Sequence, residues 1–239
     1  MTQGSRVQVR AGSRSWPETA GRLLLAWVAI AAAVVAWGWL LTTQLEGSVG
    51  EVDDDLARAI ADERTAGLTD AAEVGATLGI TLVGGVTVAV VAVVFALWKR
   101  TWLPVLFVGL VEAGLGGIYW LGTTLDERDR PPVKILEKGL VPDHSFPSGH
   151  TATAMAVFLC VAFLVWTYTQ VSRGWALLLA VVPLACLASR LYQGAHHLTD
   201  VVTSVVYAAV WITVAARLVL GRSQMDTHRA EEAPASVSA

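Results

Sequence analysis

The sequence predicts an all-α membrane protein, a bundle of six transmembrane helices, and three observations carry that expectation. Charge is scarce, at 15% of 239 residues, where an ordinary soluble domain carries about 25%. Apolar residues, 54% of the chain, come in blocks rather than in an amphipathic period. Between those blocks, polar residues cluster at widely separated positions that a six-span topology brings to one membrane face.

The first block, Leu23–Thr43, runs 21 residues without a charge, enough to cross a hydrocarbon core of about 30 Å. It exceeds a signal-peptide core of about 7–15 residues, and no small-residue cleavage site follows in "WGWLLTTQLEGS", so it reads as a retained anchor. Further spans are expected at Val74–Trp98, Trp102–Leu125, Thr151–Thr169, around Trp175–Ala188, and at Val201–Leu220. Cys160 and Cys186 fall inside spans and read as small apolar packing groups, with no disulfide or metal site implied. No internal repeat or second domain is visible. A single unit over 21–221 is expected between polar tails at 1–20 and 222–239.

Charge sets the expected orientation. With six spans, both termini and the loops at 99–101 and 170–174 share one side, with ten Lys/Arg against four acids. The loops near 44–73, 126–150 and 189–200 carry seven Lys/Arg among fifteen acids. The Lys/Arg bias places both termini in the cytoplasm and those three loops outside. Trp37, Trp39 and Trp120 on one side, and Trp98, Trp102, Trp166 and Trp175 on the other, suit interfacial belts. In the first outer loop, "EVDDDLARAIADER" spaces Val52, Leu56 and Ile60 by four after acids suited to a helix start. A short interfacial helix is expected there.

Three polar clusters then share the outer face: "DERDRPP" (126–132), "PSGH" (147–150) and "SRLYQGAHHLTD" (189–200). Arg130 and Arg190 are permanent cations whose fork suits phosphate oxygens. Ser148, Gly149 and His150 open the fourth span, where a helix N-terminus favours an anion and glycine lets the backbone approach. His150 and His196 titrate near neutrality, as proton transfer or nucleophilic attack requires. If the chain entering the sixth span is helical, His196 and Asp200 lie one turn apart on one face, and the carboxylate orients the imidazole. Together these residues describe phosphoryl transfer through a phosphohistidine. Nothing in the sequence reads as a zinc site, a GxGxxG phosphate loop or a nucleic-acid patch.

Arg130-Pro131, Pro147-Ser148-Gly149-His150, and Ser189-Arg190 followed by His196 and Asp200 resemble the signature of the type 2 phosphatidic acid phosphatase family. That family belongs to the acid phosphatase and vanadium haloperoxidase superfamily. The resemblance covers roughly Leu23 to Leu220. It implies hydrolysis of a lipid phosphate or diphosphate at the outer leaflet, without metal or other cofactor. The substrate would be a lipid phosphate held in the bilayer, and no obligate protein partner is implied. By the same resemblance His196 is the nucleophile, Asp200 orients it, and His150 protonates the leaving oxygen and then activates water. Arg130, Ser148, Gly149 and Arg190 hold the phosphoryl oxygens. A phosphotransferase using the same intermediate is the alternative reaction.

One position departs from the pattern: where the family has a lysine seven residues before Arg130, this chain has Thr123. Arg128, Lys134 and Lys138 are nearby substitutes for the charge, and an inactive lipid-phosphate binder is the reading if none serves. His197, three residues from Asp200, competes with His196, and only the family spacing selects between them. Asp143 and His144 read as loop residues. Glu112, deep in the third span, is either a functional intramembrane acid or a protonated group bonded to a neighbouring helix among Gly109, Gly114, Gly116 and Gly117.

Overall fold

The computed structural model describes residues 15–171 and 173–221. Of the expected tails at 1–20 and 222–239, residues 1–14 and 222–239, with their arginines, lie outside the described residues, as does the side chain of Trp175. The all-helical expectation holds. Eight α-helices follow one another, with a single π-helical turn at Glu46–Gly50 and no strand among the described residues.

The chain is a multi-pass membrane protein. Five of the described helices are long and apolar enough to cross a bilayer: α1 (Trp16–Thr43), α4 (Thr81–Lys99), α5 (Leu103–Leu125), α6 (Gly149–Tyr168) and α8 (Leu198–Val219). Their outward faces are apolar, with Leu24, Leu82 and Leu97 exposed at 63%, 77% and 75%. Such a surface is stable only against lipid. The expected fifth span is α7 (Arg173–Tyr192), whose described apolar part is the shorter Val181–Tyr192. α2 (Glu51–Asp62) and α3 (Ala66–Thr77) complete the set.

Two boundaries differ from expectation. α1 starts at Trp16, inside the stretch expected as tail. Ser15 and Glu18 cap each other reciprocally there, and Pro17 sits in the first turn, where its missing N–H costs nothing. The second span is broken rather than continuous: α3 ends at Thr77 and α4 begins at Thr81. At the break, Gly79 lies so close to the start of α6 that a Cβ would sit 2.4 Å from the His150 carbonyl oxygen and 2.8 Å from Cys186 Sγ. Gly79→Ala must therefore displace main chain. An overpacking loss of about 1–3 kcal/mol is expected, read as a lowered unfolding temperature in detergent.

α6 is the centre of the bundle, packed on α4, α5, α7 and α8, while α1 closes the far side against α5 and α8. Two indoles stitch that side together. Trp27 Nε1 donates to the Gly114 carbonyl at 2.9 Å and Trp211 Nε1 to the Leu110 carbonyl at 3.2 Å. Gly114 and Gly117 thus serve close helix packing, against Trp211 and Trp27, whereas nothing lies within 4 Å of a Cβ at Gly109 or Gly116. Trp39, Trp98, Trp102, Trp120 and Trp166 are all exposed at or near helix ends, and Trp37 bonds Thr203 instead. Cys160 and Cys186 are free and buried.

The expected outer-loop helix is α2, but an acid is buried on its docked side. Asp53 and Ala57 are buried while Val52 is 68% exposed. The reason lies in what Asp53 meets.

Candidate active site

The C-terminal ends of α5 and α7 and the N-terminal ends of α6 and α8 gather at one end of the bundle, roofed by the loop at 126–148. Arg130 holds that roof. Its Nε donates to the Val141 carbonyl at 2.8 Å, Nη1 to that of Ala195 at 2.5 Å, and Nη2 to that of His144 at 3.0 Å. Two of these carbonyls belong to the loop itself and the third precedes His196, so one guanidinium ties two distant clusters together. Nη1 and Nη2 each retain a second N–H. Asp126, at the head of the first cluster, turns away toward Gly38. Burial pushes its carboxyl up to about 6.

His196 is buried, and its Nδ1 lies 2.6 Å from the Ser145 carbonyl oxygen. A carbonyl only accepts, so Nδ1 carries the proton and Nε2 keeps its lone pair. The expected helical pairing with Asp200 is not what positions the ring. α8 begins at Leu198 with His197 as its cap residue, so His196 precedes the helix. Asp200 Oδ2 stands 3.8 Å from His196 Nδ1, beyond hydrogen-bond reach. Its oxygens accept instead from Arg128 Nη1 at 2.5 Å, Ser145 Oγ at 2.6 Å and the His197 N–H at 2.8 Å. Asp200 thus fixes Ser145, and Ser145 fixes the ring. Burial lowers the His196 imidazole below its usual range, and Asp200 pulls the other way.

His150 stands in the first turn of α6, with Nε2 4.0 Å from Glu137 Oε1. The other Glu137 oxygen accepts from Arg190 Nη1, which also reaches Gln193 Oε1 at 2.8 Å. Arg190 is fully buried, and its Nε and Nη2 have no hydrogen-bond partner among the described residues. Those two nitrogens form the edge that grips two oxygens of an anion side by side. Ser148 is the α6 cap: its hydroxyl accepts from the Thr151 N–H and bonds the Thr151 hydroxyl at 3.0 Å, while its own N–H donates to Ser204 Oγ.

A cavity of about 220 Å³ opens among these groups. Arg130, Gly149, His150 and His196 stand in its wall, joined by His144 and Tyr119. Ser148, Arg190 and Asp200 are not in that wall: Ser148 caps α6, Arg190 is fully buried beside Glu137 and Gln193, and Asp200 anchors Ser145. His197 faces the other way, its Nε2 3.1 Å from Asp54 Oδ1. Thr123 is buried, its hydroxyl spent on the Tyr119 and Trp120 carbonyls. Arg128 does not fill the place of the absent lysine. It is held between Asp53, 2.9 Å from Nη2, and Asp200.

Glu137, Ser145 and Asp53 were not singled out by sequence reasoning. Ser145 opens "SFPSGH" and Asp53 lies in a run of acids, but neither context marks a partner far along the chain.

A helical membrane protein with two histidines and two arginines converging at one end of its bundle is the class that fold and site define. The chain belongs to the PAP2 superfamily, whose sequence profile matches residues 101–224, a segment holding every candidate site residue. Over 115 residues it is 30% identical to sphingosine-1-phosphate phosphatase 2 of Mus musculus, covering 47% of this chain and 30% of that protein. The Homo sapiens protein of the same name is 31% identical over 115 residues, with 47% and 27% covered. The match therefore spans less than a third of the length of those relatives. The fold is shared with the crystal structure of a transmembrane PAP2-type phosphatidylglycerolphosphate phosphatase from Bacillus subtilis. The TM-score is 0.65 at 21% identity, over 85% of this chain and 94% of that one.

Proposed function

We propose that this chain is a lipid phosphate phosphatase working through a phosphohistidine on His196. The observation that carries the reading is the Ser145 carbonyl on Nδ1, which leaves Nε2 as a lone-pair nitrogen in a cavity shared with His150 and Arg130. Nε2 attacks phosphorus as the P–O ester bond breaks, and protonated His150 gives its proton to the departing alkoxide. Water then attacks the phosphohistidine, neutral His150 takes a water proton, and the P–N bond breaks to release inorganic phosphate. The open edge of Arg190 and the remaining N–H groups of Arg130 hold the phosphoryl oxygens. Arg190 supplies a fixed cation at a site that lacks the family lysine. Ser148 contributes by capping α6, and Gly149 by leaving room beside Tyr119.

The bundle crosses the membrane six times, α7 included, with both termini cytoplasmic and the site at the outer interface. The charge bias of the loops supports that orientation. Substrates are lipids whose chains stay in the bilayer while the phosphate reaches the site: phosphatidic acid, phosphatidylglycerol phosphate, a polyprenyl diphosphate or a sphingoid phosphate.

The test is release of inorganic phosphate by purified protein from that panel, with EDTA present. Release that survives EDTA and is blocked by vanadate, with an acid-labile phosphoprotein trapped on quenching, is the expected result. Strict dependence on Mg²⁺ would overturn the reading. The depressed His196 pKa adds a pH prediction. The nucleophile must be neutral, and burial keeps it neutral to lower pH. The acid limb of kcat/KM that belongs to this residue should thus fall below about 6.5, the ordinary histidine value. A limb above that value contradicts the assignment.

A further inference from the structure

We propose that Glu112 forms a second polar subsite at the inner end of the active-site cavity, taking a hydroxyl or ammonium group of the lipid whose phosphate meets His196. The inference rests on the phosphatase reading and adds a determinant of specificity. Two antiparallel helices measure the depth. Gly149 abuts Tyr119, where a Cβ would lie 3.0 Å from the ring, and this marks one level across α5 and α6. Seven positions along each helix bring Glu112 and Ala156 into the same cavity wall, about 10 Å further in at 1.5 Å per residue. The cavity is therefore a shaft running from the histidines to a carboxyl group.

Glu112 arrives there unsatisfied. Its Oε1 is buried and has no hydrogen-bond partner among the described residues, and a buried polar atom without a partner costs free energy until one is supplied. The alternative of a glutamate bonded to a neighbouring helix is thus not what the geometry gives. Gly85 of α4 stands at ordinary contact distance, where a Cβ would lie 3.7 Å from Oε2, and offers no donor there. The shaft is also kept open. Gly116, one turn from Glu112 toward the histidines, lines it with nothing within 4 Å of a would-be Cβ. Thr153 Oγ1, also in the wall, donates to Thr81 Oγ1 at 3.3 Å, so those hydroxyls have each other while Glu112 Oε1 has no partner among the described residues. A carboxyl accepts from a hydroxyl or an ammonium, and a bare alkyl chain gives it nothing.

The experiment compares three single-chain lipids with the same chain: hexadecyl phosphate with no donor, and its analogues bearing a hydroxyl or an ammonium group on about the eighth carbon, a reach of about 10 Å that matches the depth of Glu112. Wild type is expected to favour the two donor lipids over hexadecyl phosphate by about tenfold or more in kcat/KM, as a site built for a hydrogen bond rejects an analogue lacking it. Glu112→Leu should bring the three within about threefold, by lowering turnover of the two donor lipids toward that of hexadecyl phosphate. Glu112→Gln, nearly equal in volume, should keep the hydroxyl preference and lose the added preference for the ammonium. An unchanged ranking in Glu112→Leu overturns the subsite, as does an equal loss on all three lipids, which marks a structural role. Affinities of the same lipids for His196→Ala, with and without Glu112→Leu, are measured by calorimetry in detergent. They report the subsite without turnover, so a failure of the phosphatase reading stays separate from a failure of this one.

Discussion

His196→Ala is expected to lower phosphate release by about 10⁴-fold or more, the scale on which removal of a covalent nucleophile acts. No neighbouring nitrogen is placed to take over. His197 Nε2 is held by Asp54, and its Nδ1 lies 3.4 Å from Asp200. His150 faces Glu137 and serves as the acid in the same step. The effect on folding should be small by comparison. The ring makes one bond, to the Ser145 carbonyl, and leaving that acceptor unpaired costs about 1–3 kcal/mol. His197→Ala supplies the contrast. It cuts a link to α2 and leaves the nucleophile in place, so a loss of about tenfold or less is expected. Quenched-flow capture of labelled protein separates the two, because only His196→Ala should abolish the label. Equal losses in both variants would remove His196 from the nucleophile's place.

The parts of the molecule that were legible in sequence are those governed by one-dimensional physics. A bilayer imposes length and apolarity on each span, so α1, α5, α6 and α8 follow from long runs that are apolar and almost free of charge. The convergence of Arg130, His150, Arg190 and His196 follows in turn from counting crossings. What escaped depends on contacts between distant segments. The break at 78–80 answers to the His150 carbonyl pressing on Gly79, and hydropathy across that point is continuous. Asp200 looked like a helical neighbour of His196 because four residues separate them, yet α8 starts between the two and the carboxylate works through Ser145. Glu137 was invisible because an acid in a long loop carries no mark of the buried arginine it will meet.

Arg128 is the clearest case, since the sequence offers it as a substitute for the missing lysine and the fold places it between two carboxylates instead. It is 8% exposed and stands as one cation between two carboxylates, Asp53 at 4% and Asp200 at 0% exposure. Arg128→Met keeps much of the volume and removes the charge. Breaking a buried ion pair from one side leaves the other partner uncompensated, at about 3–5 kcal/mol, and here two partners are left. Thr199 and Ser145 still donate to them, so the chain should fold, with a strongly lowered unfolding temperature. Asp53→Asn should cost far less, because Arg128 and Asp200 remain a matched pair. Adding Asp53→Asn to Arg128→Met should recover part of the loss by removing one stranded charge, though the more deeply buried Asp200 stays stranded. Activity follows a second route. Without Arg128, Asp200 loses one of its three anchors, Ser145 loosens, and the carbonyl that fixes the His196 tautomer drifts. Arg128→Met should therefore depress kcat more than it raises KM, whereas loss of a direct phosphate ligand would also raise KM. A variant with wild-type stability and a raised KM would return Arg128 to the role of substrate ligand.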